Sequence, residues 1–329
     1  MRIVVAGAGS IGCYVGGLLA AAGRDVAFLA RPRIRDELVA HGLSLTDCDG
    51  GAWRLEPDRL ALAVDPAILA GADLVLVTVK SGATEEMGRL IAAHCRPGTR
   101  LVSLQNGIGN ADRLAAAAPA QSVVAGMVPF NVLHRGEGRF HRGTDGALTI
   151  AAGHPDILQT LFARGLALAE HGDMDGLAWG KLLMNLNNAL NALSGLPLLQ
   201  QLGDRRWRRV LAACQREALD ALAKAGIEPA RVGRVRPALL PRILVLPDPI
   251  FRLLARAMLK IDPQARSSMW EDLEKRRPTE IDHLQGAVVD LARSGGLGAP
   301  VNERVTAAIR AAEAAGQGSP RLSPDALLR

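Results

Sequence analysis

The first thirty residues alternate short apolar runs with a glycine-rich turn. Residues 1–6 contain a short β-branched run, and residues 25–30 are mostly apolar, which predicts a strand at each place. Between them lie a Gly-Ala-Gly-Ser-Ile-Gly motif at residues 7–12 and an apolar stretch, 13–22, which predicts a helix that ends at Gly23. The pattern therefore predicts the strand, turn, helix and strand of a dinucleotide-binding βαβ unit.

Strand patterns continue through the first half of the chain. The apolar runs at 74–79 and 101–104 are nearly continuous, as expected for parallel strands covered on both faces. The remaining predicted elements are a hairpin at 43–64, strands at 123–132 and 147–151, and helices at 34–41 and 84–94.

Beyond residue 157 the spacing of apolar positions becomes helical. The predicted helices cover 157–170, 179–191, 206–225, 248–259, 267–275, 280–294 and 301–315. We therefore predict an α/β chain with an N-terminal Rossmann-type doubly wound sheet at 1–174 and an all-α substrate and catalytic domain at 175–316. The polar tail at 317–329 contains two prolines and is expected to fray.

Composition narrows the class of protein. A chain of 329 residues with 49% hydrophobic content has room for two domains with large cores. The net charge of +6 comes from scattered Lys and Arg, without a basic patch interleaved with aromatic residues. We therefore expect no nucleic-acid partner, and the mild positive field favours an anionic cofactor and substrate. The four cysteines and the histidines lack metal-ligand spacing, so we predict reduced thiols and no metal site.

The uncharged stretch at 3–23 resembles a membrane segment by hydropathy alone. Five glycines and a serine in its first fifteen residues argue against a stable helix in lipid. The dinucleotide-binding unit explains the same residues better, so we expect a cytoplasmic protein without a membrane partner.

Each glycine of the motif has a distinct expected role. Gly7 allows the sharp turn off the strand, Gly9 lets a pyrophosphate approach the backbone, and Gly12 lets the helix pack closely on the sheet. The phosphates would bind N–H groups at the helix N-terminus, where Ser10 and Ile11 begin the first turn. The alternative is a tight turn with no ligand.

Arg31 follows the second strand, where an NAD enzyme usually carries an acidic residue. An arginine at this position suits the 2′-phosphate of NADP, so we predict NADPH as the cofactor. The alternative is an ordinary solvated arginine, because Arg33 and Arg35 also lie in this basic loop. Lys80 and Asn106 follow the next two predicted strands, where ligands collect in such sheets. They are candidate cofactor ligands, or a solvated lysine and a simple turn.

One predicted helix of the second domain carries a lysine and four asparagines. At about 100° per residue, Lys181, Asn185 and Asn188 fall within about 60° of one another, whereas Asn187 and Asn191 point elsewhere. Buried amides require partners, so this stripe predicts either a polar substrate site or structural amides at a domain interface.

A second polar stretch lies near the C-terminus of this domain. Ser268 and Glu271 have capping-box spacing, which makes Ser268 a candidate N-cap. Pro278 suits the first turn of the following helix, and the helix dipole would favour Glu280 near the same N-terminus. A serine at the start of a helix is also a good binding group for a substrate carboxylate.

Taken together, these motifs resemble those of the ketopantoate reductase (2-dehydropantoate 2-reductase) family. The matching segments are 7–12, Gln-Asn-Gly at 105–107, Lys181 with Asn185, Ser-Met at 268–269, and Pro-Thr-Glu-Ile-Asp at 278–282. The resemblance spans nearly the whole chain. It implies NADPH-dependent reduction of a 2-keto acid to a 2-hydroxy acid in pantothenate synthesis.

The same resemblance implies roles for individual residues. Lys181 would be the general acid, and Asn185 would hold the substrate hydroxyl or carbonyl. Ser268 would bind the substrate carboxylate, and Glu280 would help to order the lysine, the cofactor and the substrate. Lys80, Asn106 and Arg31 correspond to positions that contact the cofactor, and Asn106 also counts as a substrate ligand.

One position departs from the family pattern. The family commonly carries a second asparagine eight residues after the lysine, and this chain has Ala189 there with Asn188 one residue earlier. This change motivates one alternative, a reductase of another 2-keto acid. A second alternative, from another class, is an NADP-binding sensor without turnover. The sequence leaves open whether the enzyme forms a homodimer.

Overall fold

The computed structural model describes residues 1–231, 235–254 and 264–328. The chain divides into two compact units, Met1–Met174 and Asp175–Arg329. The strands of the first unit are β1 (Arg2–Ala6), β2 (Asp25–Leu29), β3 (Leu43–Asp47), β4 (Ala52–Leu55), β5 (Ala61–Ala63), β6 (Leu74–Val77), β7 (Arg100–Ser103), β8 (Ser122–Met127), β9 (Val132–His134), β10 (Arg139–Arg142), β11 (Leu148–Ala151) and β12 (Leu168–His171). Its helices are α1 (Ser10–Ala21), α2 (Pro32–His41), α3 (Thr84–His94), α4 (Asn110–Ala117) and α5 (Pro155–Leu161).

An eight-stranded sheet in the order β12-β11-β8-β7-β6-β1-β2-β5 forms the centre of the first unit. All neighbouring strands from β8 to β5 pair in parallel, while β11 runs antiparallel to β8. The chain starts at β1, proceeds to β2 on one side, and later continues from β6 on the other. The strand order therefore reverses between β1 and β6, which is where such sheets bind ligands.

Alternate residues of the central strands supply two separate cores. Ile3 and Val5 of β1 are buried in a cluster that contains residues of α1. Val4 and Ala6 point to the opposite face and are buried with Leu114 of α4. Covering helices on both faces explain why the strand sequences are apolar at consecutive positions. The predicted doubly wound α/β architecture is confirmed.

A second sheet, in the order β4-β3-β10-β9, contains the predicted hairpin, in which β3 and β4 pair antiparallel. The last strand of the segment 43–64, β5, instead joins the large sheet beside β2. The predicted strand at 123–132 is also divided, because β8 ends at Met127 and β9 belongs to the smaller sheet. Pro129 lies between them and cannot donate to a strand ladder.

The predicted helix at 157–170 is wrong. Helix α5 ends at Leu161, and β12 then pairs in parallel with β11. Gly165 lies between these elements with a φ of +86°, a left-handed conformation that a right-handed helix does not contain. Pairing with the sheet edge thus makes this segment a strand, because the apolar spacing of a short run fits a helix or a strand equally well.

Within its described residues the second unit is helical. Its helices are α6 (Met174–Asn185), α7 (Asn187–Ser194), α8 (Leu198–Gly203), α9 (Arg205–Lys224), α10 (Leu240–Leu244), α11 (Asp248–Leu254), α12 (Ser268–Glu274), α13 (Gln285–Ser294) and α14 (Pro300–Ala315). The predicted helix at 248–259 is described as far as Leu254, and residues 255–259 lie outside the described residues. No helix in the described part of the chain is long and apolar enough to cross a membrane.

The predicted single helix at 179–191 is two helices that meet at Leu186. Two buried glutamines donate to carbonyls at this break: Gln215 Nε2 to Leu183 O at 3.0 Å, and Gln285 Nε2 to Leu186 O at 2.8 Å. These bonds supply donors to helical carbonyls at the interruption. The predicted helix at 280–294 is also shorter, because Leu284 leaves helical geometry and α13 begins at Gln285.

The C-terminal tail does not fray in the structure. Leu327 is buried, and its carbonyl accepts a hydrogen bond from Arg304 Nε at 3.0 Å. Upstream, Ser319 Oγ donates to Ala192 O at 2.6 Å and Leu322 N donates to Leu193 O at 2.8 Å. These acceptors belong to the last turn of α7, whose carbonyls lack partners within the helix. The tail therefore pairs these otherwise unsatisfied groups.

Candidate active site

The turn after β1 brings two of its three glycines into close contact with the sheet. Gly7 has a φ of +106°, and a Cβ on it would lie 2.7 Å from Val79 Cγ1. A Cβ on Gly12 would lie 2.6 Å from Thr78 Oγ1. By contrast, the nearest atom to a Cβ on Gly9 would be Gly7 O at 4.0 Å. Gly7 and Gly12 are thus required by packing, whereas a Cβ on Gly9 would meet no close neighbour.

The first turn of α1 offers backbone donors to such a group. Gly9 is the N-cap and provides no side-chain cap, and the first turn contains no acidic residue. The N–H groups of Ser10, Ile11 and Gly12 lie where a helix provides no carbonyl partner. Together with the positive end of the helix dipole, they make a site suited to an anion.

Arg31 differs from the two arginines that follow it on α2. Arg33 pairs with Glu37 at 3.6 Å, and Arg35 pairs with Asp36 at 2.7 Å. Arg31 is exposed at the N-cap of α2 and has no carboxylate partner among the described residues. Leu29 O, two residues earlier, accepts hydrogen bonds from the backbone of the glycine turn. Arg31 therefore lies two residues after the carbonyl that holds the glycine turn, and its charge has no carboxylate partner in the described part of the chain.

Lys80 and Asn106 are exposed residues after β6 and β7. Beneath them lies a buried polar network that the sequence did not reveal. Ser81 Oγ donates to Asn106 O at 2.5 Å, and Asn110 Nδ2 donates to the same carbonyl at 2.5 Å. Gln105 Nε2 donates to Val79 O at 3.2 Å. These bonds join the ends of the two strands and fix the backbone that carries both candidate ligands.

Lys181 lies half-buried on α6 in the second unit. Desolvation by burial lowers the pKa of its ammonium group from the ordinary 10.5 to about 8, and the negative charge of Glu280 opposes this shift. Glu280 is also half-buried and precedes the short 3₁₀ helix Ile281–His283. A lysine with a pKa near 8 is a competent proton donor at neutral pH.

The four asparagines around the break at Leu186 form two groups, according to whether their side-chain amides have hydrogen-bond partners. Asn187 exchanges two amide hydrogen bonds with Gln201, at 2.9 and 3.1 Å. Asn191 is fully buried, with both polar atoms bonded to backbone. Asn185 and Asn188 are half-buried, and their side-chain amides bond to none of the residues that the structure describes. The two amides in the predicted stripe with Lys181 are thus the two available to a ligand.

The expected N-cap at Ser268 is wrong by one residue. Ser267 is the N-cap of α12, and its hydroxyl accepts from Trp270 N at 3.1 Å. Ser267 is buried, whereas Ser268 is exposed and is therefore not used by the cap. This leaves the Ser268 hydroxyl available to a substrate group.

Potential metal ligands meet elsewhere in the first unit. The ligand atoms of Cys48, Asp49 and Asp145 lie within 4.8 Å of one another, and all three residues are exposed. The buried guanidinium of Arg142 pairs with Asp49 at 2.5 Å and with Asp145 at 3.6 Å. One guanidinium is therefore shared between both carboxylates of this exposed group.

A glycine turn at a sheet switch point, followed by a helical unit, is typical of nicotinamide-dependent oxidoreductases. The family model described as Ketopantoate reductase PanE/ApbA matches residues 3–155, and the model of its C-terminal domain matches residues 173–313. The chain belongs to the ketopantoate reductase family.

Individual relatives agree with this assignment. The 2-dehydropantoate 2-reductase of Halobacterium salinarum is 28% identical over 326 residues, which cover 95% of this chain and 99% of that protein. The enzyme of the same name from Pyrococcus horikoshii is 27% identical over 335 residues, covering 97% and 100% of the two chains.

Solved structures extend the likeness to the fold. A PanE/ApbA family ketopantoate reductase from Ralstonia eutropha has a TM-score of 0.83 at 29% identity and covers 96% of this chain and 100% of that chain. D-mandelate dehydrogenase, solved with NADH and anilino(oxo)acetate, has a TM-score of 0.77 at 20% identity, covering 96% and 99%. The second likeness concerns the fold alone.

Proposed function

We propose that this protein is an NADPH-dependent 2-dehydropantoate 2-reductase, which reduces ketopantoate to pantoate in pantothenate and coenzyme A biosynthesis. The observation that carries the proposal is the half-buried Lys181 in the field of Glu280. Burial lowers the pKa of its ammonium group to about 8, and the negative charge of Glu280 opposes that shift. The motifs of a family of keto-acid reductases surround it in sequence.

The reaction assigns a role to each group of the helical unit. Bound NADPH would supply a hydride to the keto carbon, and negative charge would develop on the substrate oxygen. The Lys181 ammonium stabilises that charge and donates the proton that completes the alcohol. The free amides of Asn185 and Asn188 hold the substrate oxygen, and the Ser268 hydroxyl binds the carboxylate. Glu280 favours the charged form of Lys181 through its Coulomb attraction.

The first unit would hold the cofactor. The open backbone at Gly9 and the first-turn donors Ser10, Ile11 and Gly12 suit the pyrophosphate. The uncommitted charge of Arg31 suits a 2′-phosphate, which supports NADPH over NADH. Lys80 and Asn106, at the ends of neighbouring strands, complete the set of proposed cofactor ligands.

The test is an absorbance assay of NADPH oxidation with ketopantoate, repeated with NADH. We expect turnover that prefers NADPH. The variant Lys181→Ala should lose about 10²–10⁴-fold in kcat, the usual value of general acid catalysis, while nucleotide fluorescence shows NADPH still bound. Near-normal turnover by this variant would contradict the role of Lys181.

A second candidate is a reductase of another 2-keto acid. Ala189 is fully buried at the position of the second family asparagine, and the neighbouring Asn188 offers its amide instead. Comparing kcat/KM for ketopantoate with pyruvate, 2-ketoisovalerate and the bulkier phenylglyoxylate separates the two candidates. Phenylglyoxylate is included because a structural relative is a mandelate dehydrogenase. Nucleotide binding without turnover of any keto acid would instead favour a sensor.

A further inference from the structure

Asn191 joins two helices that carry proposed substrate ligands. It lies on α7, three residues after Asn188, and its side chain is fully buried. Its Nδ2 donates to Leu196 O at 2.9 Å, and its Oδ1 accepts from Ser267 N at 2.9 Å. One amide therefore connects α7 both to the turn that follows it and to the start of α12.

Ser267 provides a second connection at the same place. Its hydroxyl donates to Asn188 O at 2.9 Å and accepts from Trp270 N at 3.1 Å as the cap of α12. The N-terminus of α12 is thus tied to α7 through both the backbone and the side chain of Ser267. Ser268 is the next residue, so these bonds restrict where its hydroxyl lies relative to Asn188.

Asn187, on the same helix, makes a different set of hydrogen bonds. Asn187 bonds reciprocally with Gln201 of α8 and makes no bond to α12. Both asparagines therefore stabilise the fold by satisfied hydrogen bonds, but Asn191 is the one that connects the Asn188 segment to the Ser268 segment. The two residues form a matched pair for experiment.

We propose that Asn191 is a positioning residue for substrate binding, which sets the separation between the Asn188 amide and the Ser268 hydroxyl. The inference rests on the proposed function, in which these two groups hold the oxygen and the carboxylate of one 2-keto acid. This separation then selects keto acids in which the distance between the carboxylate and the reacting carbonyl matches it. It does not affect binding of the nucleotide.

The test compares Asn191→Leu with Asn187→Leu in steady-state kinetics and thermal unfolding. Both variants should lose a similar amount of Tm, because each removes two amide hydrogen bonds. Asn191→Leu should raise KM for the keto acid about tenfold, as expected for a misplaced hydrogen bond to a charged group. Its KM for NADPH should stay within about twofold. Asn187→Leu should leave both KM values unchanged.

Ser267→Ala keeps the test valid if Asn191→Leu fails to fold. It removes the hydroxyl bonds to Asn188 O and Trp270 N but keeps the N–H bond to Asn191, so a smaller rise in KM for the keto acid is expected. An active wild type whose KM for the keto acid is unchanged in these variants, or raised equally by Asn187→Leu, would overturn the role of Asn191 alone. A wild type that reduces no keto acid would overturn the proposed function as well.

Discussion

The pH dependence of kcat tests whether Lys181 donates the proton. A general acid works only in its protonated form, and burial places the Lys181 pKa at about 8. We therefore expect kcat to be level below this value and to fall about tenfold for each pH unit well above it. The hydride-transfer step should be followed in single turnovers at saturating NADPH and keto acid, so that product release does not mask the chemistry.

The protonated fraction of Lys181 at high pH distinguishes a lysine whose pKa is lowered by burial from one with the ordinary pKa. With a pKa of about 8, about 1% of Lys181 is protonated at pH 10, whereas at the ordinary value of 10.5 about three quarters would be. A rate that stays constant to pH 10 would therefore refute either the burial of the ammonium group or its role as the acid.

In the variant Glu280→Gln, we predict the direction in which the pH profile of kcat shifts. The carboxylate raises the pKa of Lys181 against the effect of burial, so its removal should move the fall in kcat to lower pH. Asp282→Asn is the matched control, because Asp282 is exposed and pairs with Arg310 at 2.6 Å. This control should leave the profile in place. A shift to higher pH in Glu280→Gln, or an equal shift in the control, would contradict the electrostatic reasoning.

Five further variants test other parts of the structure. Folding opposes protonation of Lys181, so Lys181→Met should raise Tm below pH 8, and this gain should fade as pH rises to 10.5. Arg31→Ala should raise KM for NADPH about tenfold or more but leave KM for NADH unchanged in steady-state assays. Gly12→Ala should destabilise the protein by about 1–3 kcal/mol in denaturant unfolding. Gly9→Ala should instead keep its stability and weaken NADPH binding. Deleting the residues after Gly316 should lower Tm by about 5 °C or more in calorimetry.

Local sequence was sufficient for the βαβ unit and the central strands of the first unit, because their signals act over short distances. The apolar runs of β1 and β6 need only be covered on both faces to become parallel strands. Gly7 and Gly12 are required by contacts to Val79 and Thr78, yet their spacing alone predicted the turn. The error at β12 arose where a short apolar run fits a helix or a strand equally well, and only pairing with β11 decides between them.

The candidate site in the second unit depends on partners that are distant in sequence. At the break at Leu186, the side-chain amides of Gln215 and Gln285 donate hydrogen bonds to backbone carbonyls. No local sequence pattern links either glutamine to this break. Both bonds form only when α9 and α13 pack against this part of the chain, so the sequence around the break could not show them.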